Sequence, residues 1–233
     1  MAESFPSGNR LLAALPRAEL AALLPKLTEV PLTFNETIFE RGEIVRHIYF
    51  PSNGVISLLA SVSERSSLEV GIVGNDGVVG VSAFAISRAS TNKAVVQGKG
   101  VAMRMKASDF LAGVKGGGKL APGILRYMDS LLGQVSQSAA CNTFHSIDAR
   151  LAKWLLMMRD RLESDTFPMT QEFLANMLGV RREAISKAAG DLQRGKLLQY
   201  SRGNLSILNR SGLVRAACSC YSALIKNPEA HIS

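Results

Sequence analysis

Two adjacent arginines and a glutamate, Arg181-Arg182-Glu183, followed by Ser186 and Lys187, are the most chemically pointed run in the chain. A guanidinium can donate two parallel hydrogen bonds to guanine O6 and N7, and a carboxylate can accept one from cytosine N4. At helical spacing Arg182, Ser186 and Gly190 share a side with Glu183 and Lys187, while Ile185, Ala188, Ala189 and Leu192 fall on the opposite side. The run reads as an amphipathic helix that presents hydrogen-bonding groups in its first turn.

The residues before it must position that helix. Thr170 is a helix N-cap type, and Glu172 in the following turn suits the positive end of a helix dipole. Leu174, Met177 and Leu178 make an apolar face, and Gly179 stops the helix. A short helix, a glycine turn and a second helix with a polar face form the grammar of a helix-turn-helix. In that docking mode the first turn of the second helix meets base edges. Arg182 and Glu183 are thus the candidate base readers, with Lys187, Ser186 and Arg181 in support. Thr170 and Gln171, at a helix N-terminus, are candidates for a backbone phosphate. Downstream, Leu197-Leu198-Gln199-Tyr200 and Leu205-Ser206-Ile207-Leu208 flank Ser201-Arg202-Gly203-Asn204, a two-stranded wing that offers Arg202 to phosphate. Each piece alone is also compatible with a solvated helix and hairpin; their order favours nucleic acid.

The charge distribution agrees. The chain of 233 residues carries a net charge of +8. Residues 1–144 hold 14 Lys+Arg against 11 Asp+Glu, and residues 145–233 hold 13 against 8. Basic character is denser in the C-terminal part, which suits an anionic partner.

Residues 30–105 read as short strands broken by turns, among them Ile48-Tyr49-Phe50, the turn Pro51-Ser52-Asn53-Gly54, and Val55-Ile56-Ser57-Leu58-Leu59. Val95-Val96 and residues 101–105 close a small antiparallel barrel or sandwich. Six leucines over residues 9–24 mark a helical lead-in. After Gly116-Gly117-Gly118, the residues Ile124, Met128, Leu131 and Val135 step by four and three. That is the seam of a paired helix, or equally the inner face of a helix packed on its own domain. A further helix over residues 148–162 carries Leu151, Trp154, Leu155 and Met158 on one face.

With these segments in place, the sequence resembles the Crp/Fnr family, the cyclic-AMP receptor protein and its relatives. Residues 170–187, ending Arg182-Glu183-Ala184-Ile185-Ser186-Lys187, are similar to the family's DNA-reading stretch, whose core is Arg-Glu-x-x-Ser-Arg. Lys187 replaces the last arginine, and a point-charge ammonium cannot copy a guanidinium fork, so the half-site should differ from the family's TGTGA-like one. Phe39-x-x-Gly42-Glu43, Ile48-Tyr49-Phe50 and Gly54-Val55-Ile56 resemble the opening strands of the cyclic-nucleotide-binding β-roll, and Met103-Arg104-Met105 its closing strand.

The resemblance implies an α+β chain: an N-terminal cyclic-nucleotide-binding-like β-roll with flanking helices (1–118), a long central dimerisation helix (119–144) and a C-terminal winged helix-turn-helix (145–233). It implies a dimeric, cytoplasmic bacterial transcription regulator on an inverted-repeat operator in double-stranded DNA, with RNA polymerase as a further partner if it activates. The family's phosphate cassette has a Gly-Glu pair for the ribose hydroxyl and a later arginine for the phosphate. Here Val81 follows Gly80, Asn92 falls near the arginine position, and Arg88 would substitute only if the loop were redrawn. Gly80, Val81, Arg88 and Asn92 are the candidate effector pocket; no cofactor is expected, and cyclic AMP is not expected to bind.

Other classes fare worse. Three histidines and no Ser/His/Asp or Cys/His grouping give an enzyme no nucleophile and base. Gly71-x-x-Gly74-x-x-Gly77 lacks both the phosphate-loop ending and the dinucleotide spacing. A ligand-binding or protein-interaction module of the same fold would show acidic or bulky apolar residues where Arg181, Arg182 and Lys187 stand. Cys141, Cys218 and Cys220 read as buried thiols, since Cys218-x-Cys220 is too close for a relaxed metal pair and no histidine or second cysteine pair stands nearby; no metal is expected. The single histidines His47 and His145 read as ordinary polar residues. No apolar run reaches the ~18 residues of a membrane span, and the N-terminus has no secretory pattern.

Overall fold

The computed structural model describes residues 8–63, 66–201 and 203–225. Packing divides the chain into two units. Among the described residues, one comprises 8–58 and 72–132; the other comprises 59–71 and 133–225.

The first unit opens with α1 (Arg10–Ala13) and α2 (Arg17–Leu23), so the helical lead-in is broken. Pro16 is the reason: it has no N–H to continue α1, and it sits instead at the N-cap of α2. Asn9 is fully buried and serves both ends of this entry. Its Oδ1 accepts from the Leu11 and Leu12 backbone N–H groups, and its Nδ2 donates to Pro51 O at 2.9 Å and Gly77 O at 2.8 Å.

The strands are β1 (Thr28–Leu32), β2 (Thr37–Phe39), β3 (His47–Ser63), β4 (Ser66–Val73) and β5 (Lys93–Lys106). They form one sheet in the order β1-β5-β3-β4, with β2 also on β5. β1 runs antiparallel to β5 with Thr28 opposite Arg104 and Leu32 opposite Gly100. Val95-Val96 and residues 101–105, read separately in the sequence, belong to the single strand β5. The roll closes on Ile48, Phe50, Ile56, Met105 and Phe110, all nearly or fully inaccessible. Burying each such side chain contributes about 1.5–3 kcal/mol. Phe110, on α3 (Ala107–Lys115), meets Phe50 and Phe84 edge-on at 6.1 and 5.2 Å between ring centres.

Helix α4 (Leu120–Phe144) begins where Glu19 accepts from the Lys119 and Leu120 backbone N–H groups, both at 2.8 Å. A carboxylate there satisfies orphan donors and faces the positive end of the helix. The four-and-three stripe on α4 needs correction as a pairing seam. Ile124 is 1% exposed inside its own unit's core, with Met128 and Leu131 packed partly against the same core. Periodicity marks a face that seeks apolar cover without saying which surface supplies it. The open apolar residues lie one step further round: Leu125 and Leu132, each 64% exposed.

The second unit is built on α5 (Ile147–Leu162), whose residues from Arg150 to Met158 are all buried. The Ser146 hydroxyl caps it by accepting from the Ala149 N–H. Around α5 come β6 (Thr166–Pro168), α6 (Gln171–Leu178), α7 (Arg182–Arg194), β7 (Leu198–Ser201), β8 (Asn204–Ile207), α8 (Arg210–Ala216) and α9 (Cys220–Ile225). The wing is a three-stranded sheet in the order β6-β8-β7, one strand more than the expected hairpin. β6 is a three-residue strand holding Pro168, too short and too interrupted to register as alternation. Trp154 is anchored by its indole N–H, which donates to Glu69 Oε1 at 3.0 Å. Among the described residues no helix is long and apolar enough to cross a membrane.

Candidate nucleic-acid interface

Helix α6 starts as its residues dictate: Thr170 is extended, and its Oγ1 accepts from the Phe173 N–H at 3.1 Å. It ends at Gly179, whose φ of +62° is the left-handed conformation that lets glycine terminate a helix. The Gly179 N–H donates to the Asn176 carbonyl at 3.3 Å, and the Val180 N–H to the Ala175 carbonyl at 3.0 Å. This turn redirects the chain into α7 within two residues. Arg181 is the extended N-cap residue of α7, and Glu183 lies in its first turn.

On α7 the inner face is Ile185, Ala188, Ala189 and Leu192, each 5% exposed or less. Arg181, Arg182, Glu183, Ser186 and Lys187 are all exposed. The small Ala188 and Ala189 let the helix lie close on its support. The Arg150 guanidinium, on α5, donates to the Leu178 carbonyl and so satisfies an orphan group at the end of α6. Both helices of the motif are therefore held from behind while the polar face of the second stays open.

The wing is tied to the same helix. Gln193 Oε1 accepts from the Tyr200 backbone N–H at 2.9 Å, and the Tyr200 hydroxyl donates to the Met169 carbonyl. Burial pushes the Tyr200 phenol up, opposed by a backbone hydrogen bond from Gln171 and by the field of Arg182. Tyr200 thus joins the start of α6, the last turn of α7 and the wing, a role that sequence reasoning missed because it depends on contacts between separate elements. Gly203 carries the tip of the wing at a φ of +77°. Arg202, expected at phosphate, lies outside the described residues. At the far end of α7, Arg194 pairs with Asp191.

The expected effector residues in the roll sit differently. Gly80 adopts a φ of +103° before the short 3-10 turn Val81–Phe84. A Cβ there would lie 3.0 Å from both the His47 carbonyl oxygen and Ile48 Cδ1, so the glycine answers to the turn and its packing. Val81 packs against the apolar core. Arg88 is exposed, and Asn92 spends its amide on Thr91 Oγ1 at 3.3 Å. This set offers no carboxylate to a ribose and no buried cation to a cyclic phosphate. His47 is held below its usual pKa by burial and then by Arg104, Lys106 and Arg46.

The cysteines require a correction. All three are buried, but His145 and Cys141 are close in space to Cys218 and Cys220. Cys141 is on the last turn of α4 and His145 follows directly after it, its backbone N–H donating to the Cys141 carbonyl at 3.1 Å, which keeps the two on one side. Cys218 and Cys220 converge because the chain bends between α8 and α9. Burial, then hydrogen bonding to Cys141, pushes the Cys218 thiol up to about 12.

Comparison with known proteins agrees with this architecture. Residues 149–216 match the Crp-like helix-turn-helix domain model, and residues 29–115 match the cyclic nucleotide-binding domain model. A CRP-like cAMP-activated global transcriptional regulator of Mycobacterium tuberculosis is 22% identical over 205 residues, covering 85% of this chain and 92% of that one. A transcriptional regulator of the Crp/Fnr family from Eubacterium rectale shares the fold with a TM-score of 0.69 at 19% identity, covering 90% of this chain and 98% of that one. A CRP-family regulator from Thermus thermophilus superposes with a TM-score of 0.65 at 20% identity, over 81% and 96% of the two chains. A β-roll followed by a winged helix-turn-helix defines the class: the chain is a DNA-binding transcription regulator. It belongs to the Crp/Fnr family.

Proposed function

We propose that the chain works in the cytoplasm as a homodimer that reads an inverted repeat in double-stranded DNA, with no catalytic role. The observation that carries this reading is the first turn of α7, where Arg181, Arg182 and Glu183 stand exposed on a helix whose opposite face is sealed. Arg182 and Glu183 read base edges, and Lys187, Ser186 and Arg181 extend the contact. Thr170 and Gln171 at the start of α6, with Arg202 of the wing, take phosphates.

Pairing runs along α4. Leu125 and Leu132, seven residues apart and open, supply the apolar seam, with Met128, Leu131 and Val135 at its edge. Two copies of α7 would then enter successive major grooves about 34 Å apart. Cyclic AMP is not the signal that the roll reads, a reading supported by Val81 and Asn92 where a carboxylate and a cation would be needed; the roll takes another small molecule, answers to a partner, or binds nothing. If the bound dimer activates, RNA polymerase is its next partner.

Selection of bound fragments from sheared genomic DNA tests the reading. Recovered fragments should share an inverted repeat with half-sites one helical turn apart. Absence of enrichment over bulk competitor, with and without cell extract, overturns it.

A further inference from the structure

Four ligand-type atoms from two distant parts of the chain converge in the second unit. The sulfurs of Cys141, Cys218 and Cys220 and a ring nitrogen of His145 all lie within 4.8 Å of one another. Cys141 Sγ is 3.5 Å from Cys218 Sγ, and Cys220 Sγ is 3.4 Å from His145 Nδ1. With zinc–sulfur bonds of about 2.3 Å and a zinc–nitrogen bond of about 2.0 Å, a tetrahedron sets its sulfurs about 3.8 Å apart and sulfur and nitrogen about 3.5 Å apart. The cluster therefore has the size of one metal ion's ligand shell. An iron–sulfur cluster would need a wider ring, because its own core holds the ligand sulfurs apart.

The surroundings fit a charged centre better than three neutral thiols. Gln137 donates from Nε2 to Cys220 Sγ at 3.0 Å, a bond that favours sulfur carrying negative charge. Arg150 is 7% exposed, and its Nε is buried without a hydrogen-bond partner among the described residues. Burial works against the charge of this guanidinium and holds its pKa below the usual value, with Cys141 and Cys218 acting in the opposite direction. A divalent ion held by three thiolates and a neutral imidazole has a net charge of −1, and the arginine offsets it. The guanidinium already donates to the Leu178 carbonyl, and such a centre would add the charge compensation that neutral sulfur does not give a buried cation.

We propose that Cys141, His145, Cys218 and Cys220 form a mononuclear, four-coordinate zinc-type site, with His145 bound through Nδ1. Binding converts three thiols to thiolates, releases three protons, and leaves no position open for substrate, so the role is structural. The site fastens the end of α4 to the bend between α8 and α9. Both flank α5, the helix on which the DNA-reading motif rests. The proposal does not depend on DNA binding.

The probe is Co²⁺ added to the full-length chain after reduction and chelation, alongside elemental analysis of protein purified without chelator. One equivalent of zinc should co-purify. Co²⁺ should bind one per chain, with the strong visible bands of tetrahedral coordination and a thiolate charge-transfer band. His145→Ala should lose the tetrahedral pattern, and Cys218→Ser should weaken the thiolate band. Gln137→Ala, which leaves every ligand in place, should weaken affinity about tenfold or more. Circular dichroism shows whether each variant remains folded, and the wild-type spectrum stands whatever the variants do. A chain that binds no Co²⁺ after reduction overturns the proposal, including one that was purified with a Cys141–Cys218 disulfide. Iron with acid-labile sulfide, or a Co²⁺ spectrum indifferent to a folded His145→Ala chain, overturns it equally.

Discussion

The Tyr221 hydroxyl donates to Asp160 Oδ2 at 2.6 Å, tying α9 to α5 across 61 residues of sequence. Arg210 completes the set, reaching Asp160 Oδ1 at 3.2 Å and the Tyr221 oxygen at 3.0 Å. Burial, and then the bond to Asp160, pushes the Tyr221 phenol up to about 12 from an ordinary value of 10.0.

Tyr221→Phe keeps the buried ring and removes this charge-assisted bond. It should cost about 1 kcal/mol, seen as a Tm lower by about 2–4 °C near neutral pH. The pH dependence has a definite sign. Between pH 10 and 12 the unfolded chain has lost the phenol proton and the folded chain retains it, so wild-type stability falls as pH rises through that window. The variant lacks this loss, and the gap between the two Tm values should close as pH approaches 12. A gap constant from pH 8 to 12 would contradict the assignment.

Gly179 turns α6 into α7 at a positive φ, and a Cβ there would stand 2.9 Å from Leu68 Cδ1. Gly179→Ala should destabilise the second unit by about 1 kcal/mol or more through the backbone alone. Chemical denaturation followed by Trp154 fluorescence measures it, since that indole lies in the same unit. An unchanged midpoint would mean that the turn tolerates another conformation.

Arg182→Ala should weaken binding at a selected operator by about 1–3 kcal/mol and relax base choice at one position of each half-site. Anisotropy titration against a set of single-base operator variants reads both effects. Equal weakening on operator and random DNA would instead make Arg182 a phosphate contact.

Cyclic AMP should leave the Tm of the chain unchanged even at millimolar concentration, because a ligand stabilises only the state it binds. A rise that grows with concentration would show that the roll holds the nucleotide by groups other than Val81 and Asn92.

Much of the DNA-reading motif was legible before any fold was known, because its signals are local. A threonine cap, a glycine stop and alternating buried and exposed positions on α7 each operate within about one helical turn, and all appear as expected. The order of roll, long helix and winged motif was legible for a related reason: each element announces its own period. Tertiary contact alone decided the rest. The α4 stripe could not say that Ile124 faces its own core and Leu125 does not, because that depends on what lies beside the helix. Strand β6 takes its identity from β8, some forty residues away, and Tyr200 from the ends of two helices. The Cys141–Cys218 approach joins positions 77 apart in sequence. Spacing along a chain reports neighbours on one element; only folding brings ligand atoms from two elements within the radius of a single ion.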